Sequence, residues 1–251
     1  MKRYRTPTLL AILCLVLCLC SGCGGKNKTI EIKSVTLGEI SEYRPIFTTE
    51  HPPEYGVLNS ITDNATIGDE RQFVRVYDSA GTEYVDTVEL QPYQIYEVRL
   101  YLINDNSKSD NKVIDTYGHA NLPETVSERG TITADIFCDA TYPIPEKISG
   151  SITVTSSKDL NLVYIRDSAQ QYVIVSNNKC AYVPIDDVNG FFTDKSRIGT
   201  GGKNDNKWYI YGTSDDLQYV TFAFFAEPTD TTSGPNPETN TQPATKTPPV
   251  D

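Results

Sequence analysis

Four oxygen-bearing side chains, Asp63, Asn64, Asp69 and Glu70, stand close together in the sequence. Carboxylates and amides grouped in this way are what a Ca²⁺ ion takes, about six to eight oxygens at a time. Their spacing is not that of an EF-hand loop, which needs acids at alternating positions and a terminal Glu. Asp-Asn and Gly-Asp are also turn formers. The competing reading is therefore an Asx turn leading into a strand at 72–77, with Arg71 or Arg75 pairing a carboxylate. Calcium at Asp63, Asp69 and Glu70 is the one cofactor the sequence brings forward. A second chemistry belongs to aromatic rings. Trp208, Tyr209 and Tyr211 lie together near Tyr219, and Tyr93, Tyr96 and Tyr101 form another group. Exposed rings stack on sugars or anchor a protein partner. The same rings in strands also pack across a sheet, at about 0.2–1 kcal/mol per pair.

Catalysis has little to work with. The chain holds two histidines. His51, in Glu50-His51-Pro52-Pro53, and His119, in Tyr117-Gly118-His119-Ala120, both read as loop residues. There is no GxSxG, HExxH or phosphate loop. Among 33 acidic residues a carboxylate pair can always be found, so a glycosidase has no specific support. The expectation is a chain that is not an enzyme. A formal charge of −11 and a pI near 4.7 also argue against a nucleic-acid partner, because phosphate neutralisation needs clustered Lys and Arg.

The cysteines point to an address. Lys2, Arg3 and Arg5 precede an apolar run from Thr8 to Cys20. That run is about 13 residues, within the ~7–15 of a signal peptide and short of the ~18 that span a bilayer. It ends in Cys20-Ser21-Gly22-Cys23-Gly24, which resembles a bacterial lipobox, with Cys20 where Leu is usual. The resemblance implies a signal peptide over 1–22 and a lipid on Cys23, anchoring the protein on the outer face of the cell membrane. Residues 1–22 hold three basic and no acidic side chains, so their removal takes the charge from −11 to −14. Acyl chains give membrane affinity without a basic patch, and an acidic body stands off anionic headgroups. With Cys14, Cys18 and Cys20 in the leader, Cys138 and Cys180 remain. They could form one disulfide closing a loop of about 40 residues, worth roughly 3–4 kcal/mol in the chain-entropy picture. The lone CxxC, Cys20 with Cys23, is split by cleavage, and neither histidine is at ligand spacing from Cys138 or Cys180, so zinc is disfavoured.

The elements that position these residues are strands. In 93–103, Tyr96, Val98, Leu100 and Leu102 alternate with Glu97, Arg99 and Tyr101. In 131–138 the alternating set is Ile132, Ala134, Ile136 and Cys138, and in 148–155 it is Ile148, Gly150, Ile152 and Val154. A period of two is the mark of half-buried strands. Further strands are expected at 29–35, 72–77, 83–90, 160–166, 171–175, 207–211 and 217–225, separated by turn chemistry such as Ser79-Ala80-Gly81 and Gly201-Gly202. No stretch offers an amphipathic helix of about 12 residues. The reading is all-β: an antiparallel, immunoglobulin-like β-sandwich with insertions over 30–227, a jelly roll being the alternative. Residues 23–29 read as a tether. Residues 228–251, mostly Pro, Thr, Asn, Asp and Glu, bury too little to fold and read as a disordered tail.

The run LNSITDNATIGDERQFVRV at 58–76 resembles a motif, close to FNSITDNPxxGDERxFVxV, of a large group of uncharacterised exported proteins of Gram-positive bacteria. YEVRLY at 96–101, ITAD at 132–135 with ATYP at 140–143, LVYIRDSA at 162–169 and YVTF at 219–222 resemble that group's later motifs. The likeness spans roughly 46–225 and implies a β-sandwich, a surface location and no established activity. Residues 103–107 and 207–212 depart from the group, and Cys138 falls within an insertion. Sequence and resemblance together suggest a lipid-anchored, non-catalytic binding module of a bacterial envelope with a protein or glycan ligand. The alternatives are a carbohydrate-binding module reading sugars through Trp208, Tyr209 and Tyr211, and a purely structural surface domain.

Overall fold

The computed structural model describes residues 44, 46–104, 112–139, 146–176, 179–201, 206–212 and 217–230. The leader, Cys23, the tether, the strand expected at 29–35 and the tail beyond residue 230 lie outside the described residues. The strands are β1 (Val74–Tyr77), β2 (Glu83–Tyr84), β3 (Thr87–Glu89), β4 (Ile95–Leu102), β5 (Lys112–Asn121), β6 (Thr125–Val126), β7 (Arg129–Asp139) and β8 (Lys147–Thr155). They continue with β9 (Leu160–Tyr164), β10 (Gln170–Ser176), β11 (Lys179–Pro184), β12 (Ser196–Arg197), β13 (Thr200–Gly201), β14 (Trp208–Tyr211) and β15 (Gln218–Pro228). One short helix, α1 (Val188–Thr193), stands between β11 and β12. None of the described helical residues forms a helix long and apolar enough to cross a membrane.

Two sheets face each other. The first runs β11–β10–β15–β4–β1–β2, with β9 added along β15 and β6 along β9. The second runs β13–β14–β5–β7–β8–β3, with β12 on β5. The chain is an all-β sandwich, as the period of two predicts. The pairing is antiparallel throughout these strands except between β3 and β8, which run parallel. The alternation read from sequence is the one that packs. Val98 and Leu100 of β4, Ile132, Ala134 and Ile136 of β7, and Ile148, Ile152 and Val154 of β8 are all buried. Phe73 fills the space between the sheets. Its ring lies so close over Gly150 of β8 that a Cβ there would sit 2.7 Å from it. Gly150 is thus a strand glycine kept for a close approach.

Two longer strands, β5 and β11, escape the sequence reading, as do the two-residue strands β6, β12 and β13. Strand β5 contains an irregularity in its register with β7 between Ile114 and Tyr117, and Asp115 there has φ +54°. The extra residue shifts the inward set from Val113 to Thr116, Gly118 and Ala120, so the simple alternation breaks. The inward residues are small because α1 packs there: a Cβ on Gly118 would meet Phe191 and Ile198 at 3.1 Å. Residue His119 is therefore in a strand, and the loop reading is corrected. Strand β11 is an edge strand with little full burial, so it lacks the hydrophobic contrast that marks a strand.

Candidate functional site

The carboxylates of the 58–76 run are occupied with holding the fold. Asp63 accepts from the Thr49 N–H at 2.7 Å and from its hydroxyl at 3.1 Å. Asp69 holds Arg71 through both oxygens, with the shortest contact at 2.6 Å. Glu70 is fully buried; it accepts from Asn64 Nδ2 at 2.6 Å and from the Ile61 N–H at 3.2 Å. Asn64 Oδ1 accepts from the Thr66 and Ile67 N–H groups, closing an Asx turn. Asp63, Asp69 and Glu70 thus face three different sets of donors. Among the described residues no cluster of three or more His, Cys, Asp or Glu side chains could hold a metal. The turn reading of this run is the one the geometry gives, and the calcium site is corrected. Asn59 completes the run's role. Its amide donates to Tyr101 O at 2.8 Å and accepts from the Ile103 N–H at 3.0 Å, tying the segment to β4.

The aromatics of β14 do not form one platform. Tyr209 is buried, with Lys112 Nζ 3.7 Å from its ring centre. Tyr211, two residues on, shares that face, 5.9 Å from Tyr209. Trp208 is half-buried, pairs with Gly201 of β13, and covers that glycine with its ring. A flat sugar-stacking face over Trp208, Tyr209 and Tyr211 is therefore not what β14 offers.

A larger aromatic array lies on the outward side of the first sheet. Tyr101, Tyr219, Tyr172 and Tyr182 occupy one row across β4, β15, β10 and β11. Their rings meet at 5.0–5.9 Å, and the Tyr182 and Tyr219 hydroxyls are 2.6 Å apart. Tyr101 is buried rather than solvated, because neighbours on its own face cover it. Tyr77 Oη is 2.8 Å from its hydroxyl, and the Arg75 guanidinium lies over its ring. Arg75 and Arg99 are directly paired across β1 and β4, an arrangement that repels unless each charge is met. Each is met: Arg75 binds Glu83 at 3.0 Å, and Arg99 binds Glu97 at 2.6 Å while lying between the Tyr77 and Tyr219 rings. Burial, then the neighbouring Tyr101 and Glu83, hold the Tyr77 phenol far above its usual range.

The second sheet carries a polar row that resembles catalytic chemistry only in its residue types. His119, Asp135 and Ser149 are cross-strand neighbours on β5, β7 and β8. Ser149 Oγ donates to Asp135 Oδ1 at 2.5 Å, Lys147 Nζ is 3.5 Å from the same oxygen, and His119 Nδ1 is 3.9 Å from Oδ2. A nucleophile needs the imidazole between hydroxyl and carboxylate. Here the carboxylate is between, so the serine proton is held rather than removed.

Cys138 and Cys180 are not joined to each other. Cys138 belongs to β7 in the middle of the second sheet, and Cys180 to β11 at the edge of the first. The expected disulfide is corrected: the two are not cross-strand neighbours. Burial, then Asp139 and Glu146, push the Cys138 thiol up to about 11.

The feature with unspent chemistry is a cleft of about 740 Å³ where the end of β5, strand β9 and α1 meet. Its apolar wall is Leu122, Leu162, Tyr164, Val188 and Phe192. Its polar rim is Asn121, Glu124, Arg166, Asp167 and Asn189. The wall is built from the core outward. Phe192 packs edge-on against Phe191 and Phe222 at 5.2 and 5.1 Å, and Tyr164 lies 4.9 Å from Phe192. The Tyr164 hydroxyl accepts from the Ala169 N–H at 3.2 Å, which fixes the ring. Asp187 caps α1 by accepting from the Gly190 N–H at 2.8 Å. Ser168 pins the 165–168 turn to β15, donating to Ile165 O at 2.6 Å and accepting from the Ala223 N–H at 2.9 Å. Within that turn Asp167 has φ +64°, a conformation Asp tolerates better than most residues. None of the five rim side chains makes a hydrogen bond or ion pair within the described structure. Sequence reading missed the site because its residues come from three separate segments, and the short helix supplying Phe192 carries no periodic signal. No family model, curated protein or solved structure matches the chain.

Proposed function

We propose that this protein is a non-catalytic binding module held on the outer face of a bacterial membrane by a lipid on Cys23, with the cleft between β5, β9 and α1 as its ligand site. The carrying observation is the unpartnered polar rim, five side chains around an aromatic wall. Clefts of roughly 300–1,000 Å³ with an apolar wall and a few convergent polar groups are the usual form of a small-ligand site. The anchoring half of the proposal rests on Lys2, Arg3, Arg5, the apolar run and Cys23. The two halves have separate tests. Fatty-acid labelling in the expressing cell is expected on the wild-type chain and absent from Cys23→Ala; equal labelling of both overturns the anchor. A thermal-shift screen of peptides, glycans, nucleosides and carboxylic acids is expected to yield a ligand that raises the Tm of the wild type. The Asn121→Ala/Asn189→Ala variant is expected to lose that rise, and a screen in which every rise survives the substitutions overturns the site.

A further inference from the structure

Resting on the binding reading above, we infer that the cleft takes a neutral pyranose unit of a glycan. The donor and acceptor inventory of the rim carries this. Glu124 and Asp167 are acceptors, Arg166 is a donor, and the amides of Asn121 and Asn189 are both at once. A sugar's hydroxyls also donate and accept, so one ring edge can engage all five side chains. A phosphate or carboxylate ligand would place its charge beside Glu124 and Asp167 with only Arg166 in compensation. A purely apolar ligand would cover the five rim groups without replacing their water, which costs free energy for each group left unpaired.

The wall supplies the other half of sugar chemistry. The C–H face of a pyranose is apolar and packs on an aromatic ring while its hydroxyls point outward. Tyr164 and Phe192 are both half-buried, so part of each ring remains open to the cleft. Their planes are inclined by 55°, giving an angled corner for one ring rather than a flat surface for an extended chain. The hydroxyl of Tyr164 is already turned to the Ala169 N–H, so this residue offers its ring face. Phe192 is held by the core rings Phe191 and Phe222, and Tyr164 by Phe192 and the Ala169 N–H, and a preorganised site spends less free energy on ordering when it binds.

The test is a glycan array probed with the soluble chain from residue 24 to the end, followed by titration of the best neutral oligosaccharide. The expected result is binding to neutral hexose-containing glycans. Asn121→Ala/Asn189→Ala and Arg166→Ala should each weaken it at least tenfold with unchanged Tm, while Tyr164→Phe, which keeps the ring, should retain it. Array binding that prefers uronic or sialic acids overturns the neutral-sugar assignment. So does binding undiminished by the rim substitutions. If the array is blank but a peptide raises the Tm through the same rim residues, the sugar inference falls and the binding module stands. If the array is blank and no compound of the screen acts through the rim, both fall.

Discussion

The outward face of the first sheet and the cleft beside α1 hold similar residues and treat them in opposite ways. On the sheet, Arg75, Arg99, Glu83, Glu97 and the tyrosines of four strands meet one another: every charge has a countercharge, and the ring hydroxyls of Tyr77, Tyr101, Tyr182 and Tyr219 are paired. In the cleft, five polar side chains surround two rings and meet nothing. A satisfied polar network gives rigidity and a defined register. An unsatisfied one at the surface is bound to water and can exchange that water for a ligand. Residue type alone therefore does not separate a structural array from a binding site; the state of the hydrogen bonds does.

That contrast fixes how substitutions should divide. The largest effect belongs to Arg75→Met, which leaves Glu83 without its countercharge, though still bonded to the Tyr77 hydroxyl, and takes a guanidinium donor from Gln72 O and from the buried Ile67 O. Removing one partner of a buried pair costs about 3–5 kcal/mol, to be read as a lower urea midpoint, with ligand affinity of the remaining folded protein unchanged. Tyr219→Phe removes the 2.6 Å hydroxyl contact with Tyr182 and keeps the ring stack. A loss of about 1 kcal/mol is expected, again with binding intact. A pH series probes the same face. Because the Tyr77 phenol is raised above its ordinary value near 10, its contribution to stability is full below that pH. Above it the unfolded chain loses the proton first, so stability falls as pH rises. Denaturant titrations from pH 8 to pH 11 should show that fall in the wild type and a shallower one in Tyr77→Phe. The smallest effect on stability belongs to the cleft. Asn121 and Asn189 are exposed and partnerless, so replacing both with Ala should change stability by no more than about 0.5 kcal/mol. A large loss of stability there would merge the two regions into one structural class.

Much of the fold was legible because burial imposes a period of two on β4, β7 and β8. What the sequence concealed has physical causes. The bulge at Asp115 moves the inward face of β5 by one residue, and small inward side chains under α1 leave that strand with few apolar markers. The acidic run could be read as calcium ligands or as a turn, and the choice rests on where Glu70 and Asp69 point. Glu70 turns into the body toward Asn64 and the Ile61 N–H, and Asp69 closes on Arg71. Tyr101 lies on the outward face its alternation indicates, yet cross-strand rings seal it. The cleft was the least legible, since Asn121, Arg166 and Phe192 have no common spacing and become neighbours only when β9 and α1 fold against the end of β5.

The most direct test is the melting temperature of the wild type and of Asn121→Ala/Asn189→Ala, each with and without the neutral oligosaccharide at about 100 times its wild-type Kd. The account predicts equal Tm values without sugar. With sugar, the wild type should be stabilised by about 2.7 kcal/mol and the variant, its affinity at least tenfold weaker, by no more than about 1.4 kcal/mol. An equal rise in both proteins, or none in either, would contradict it.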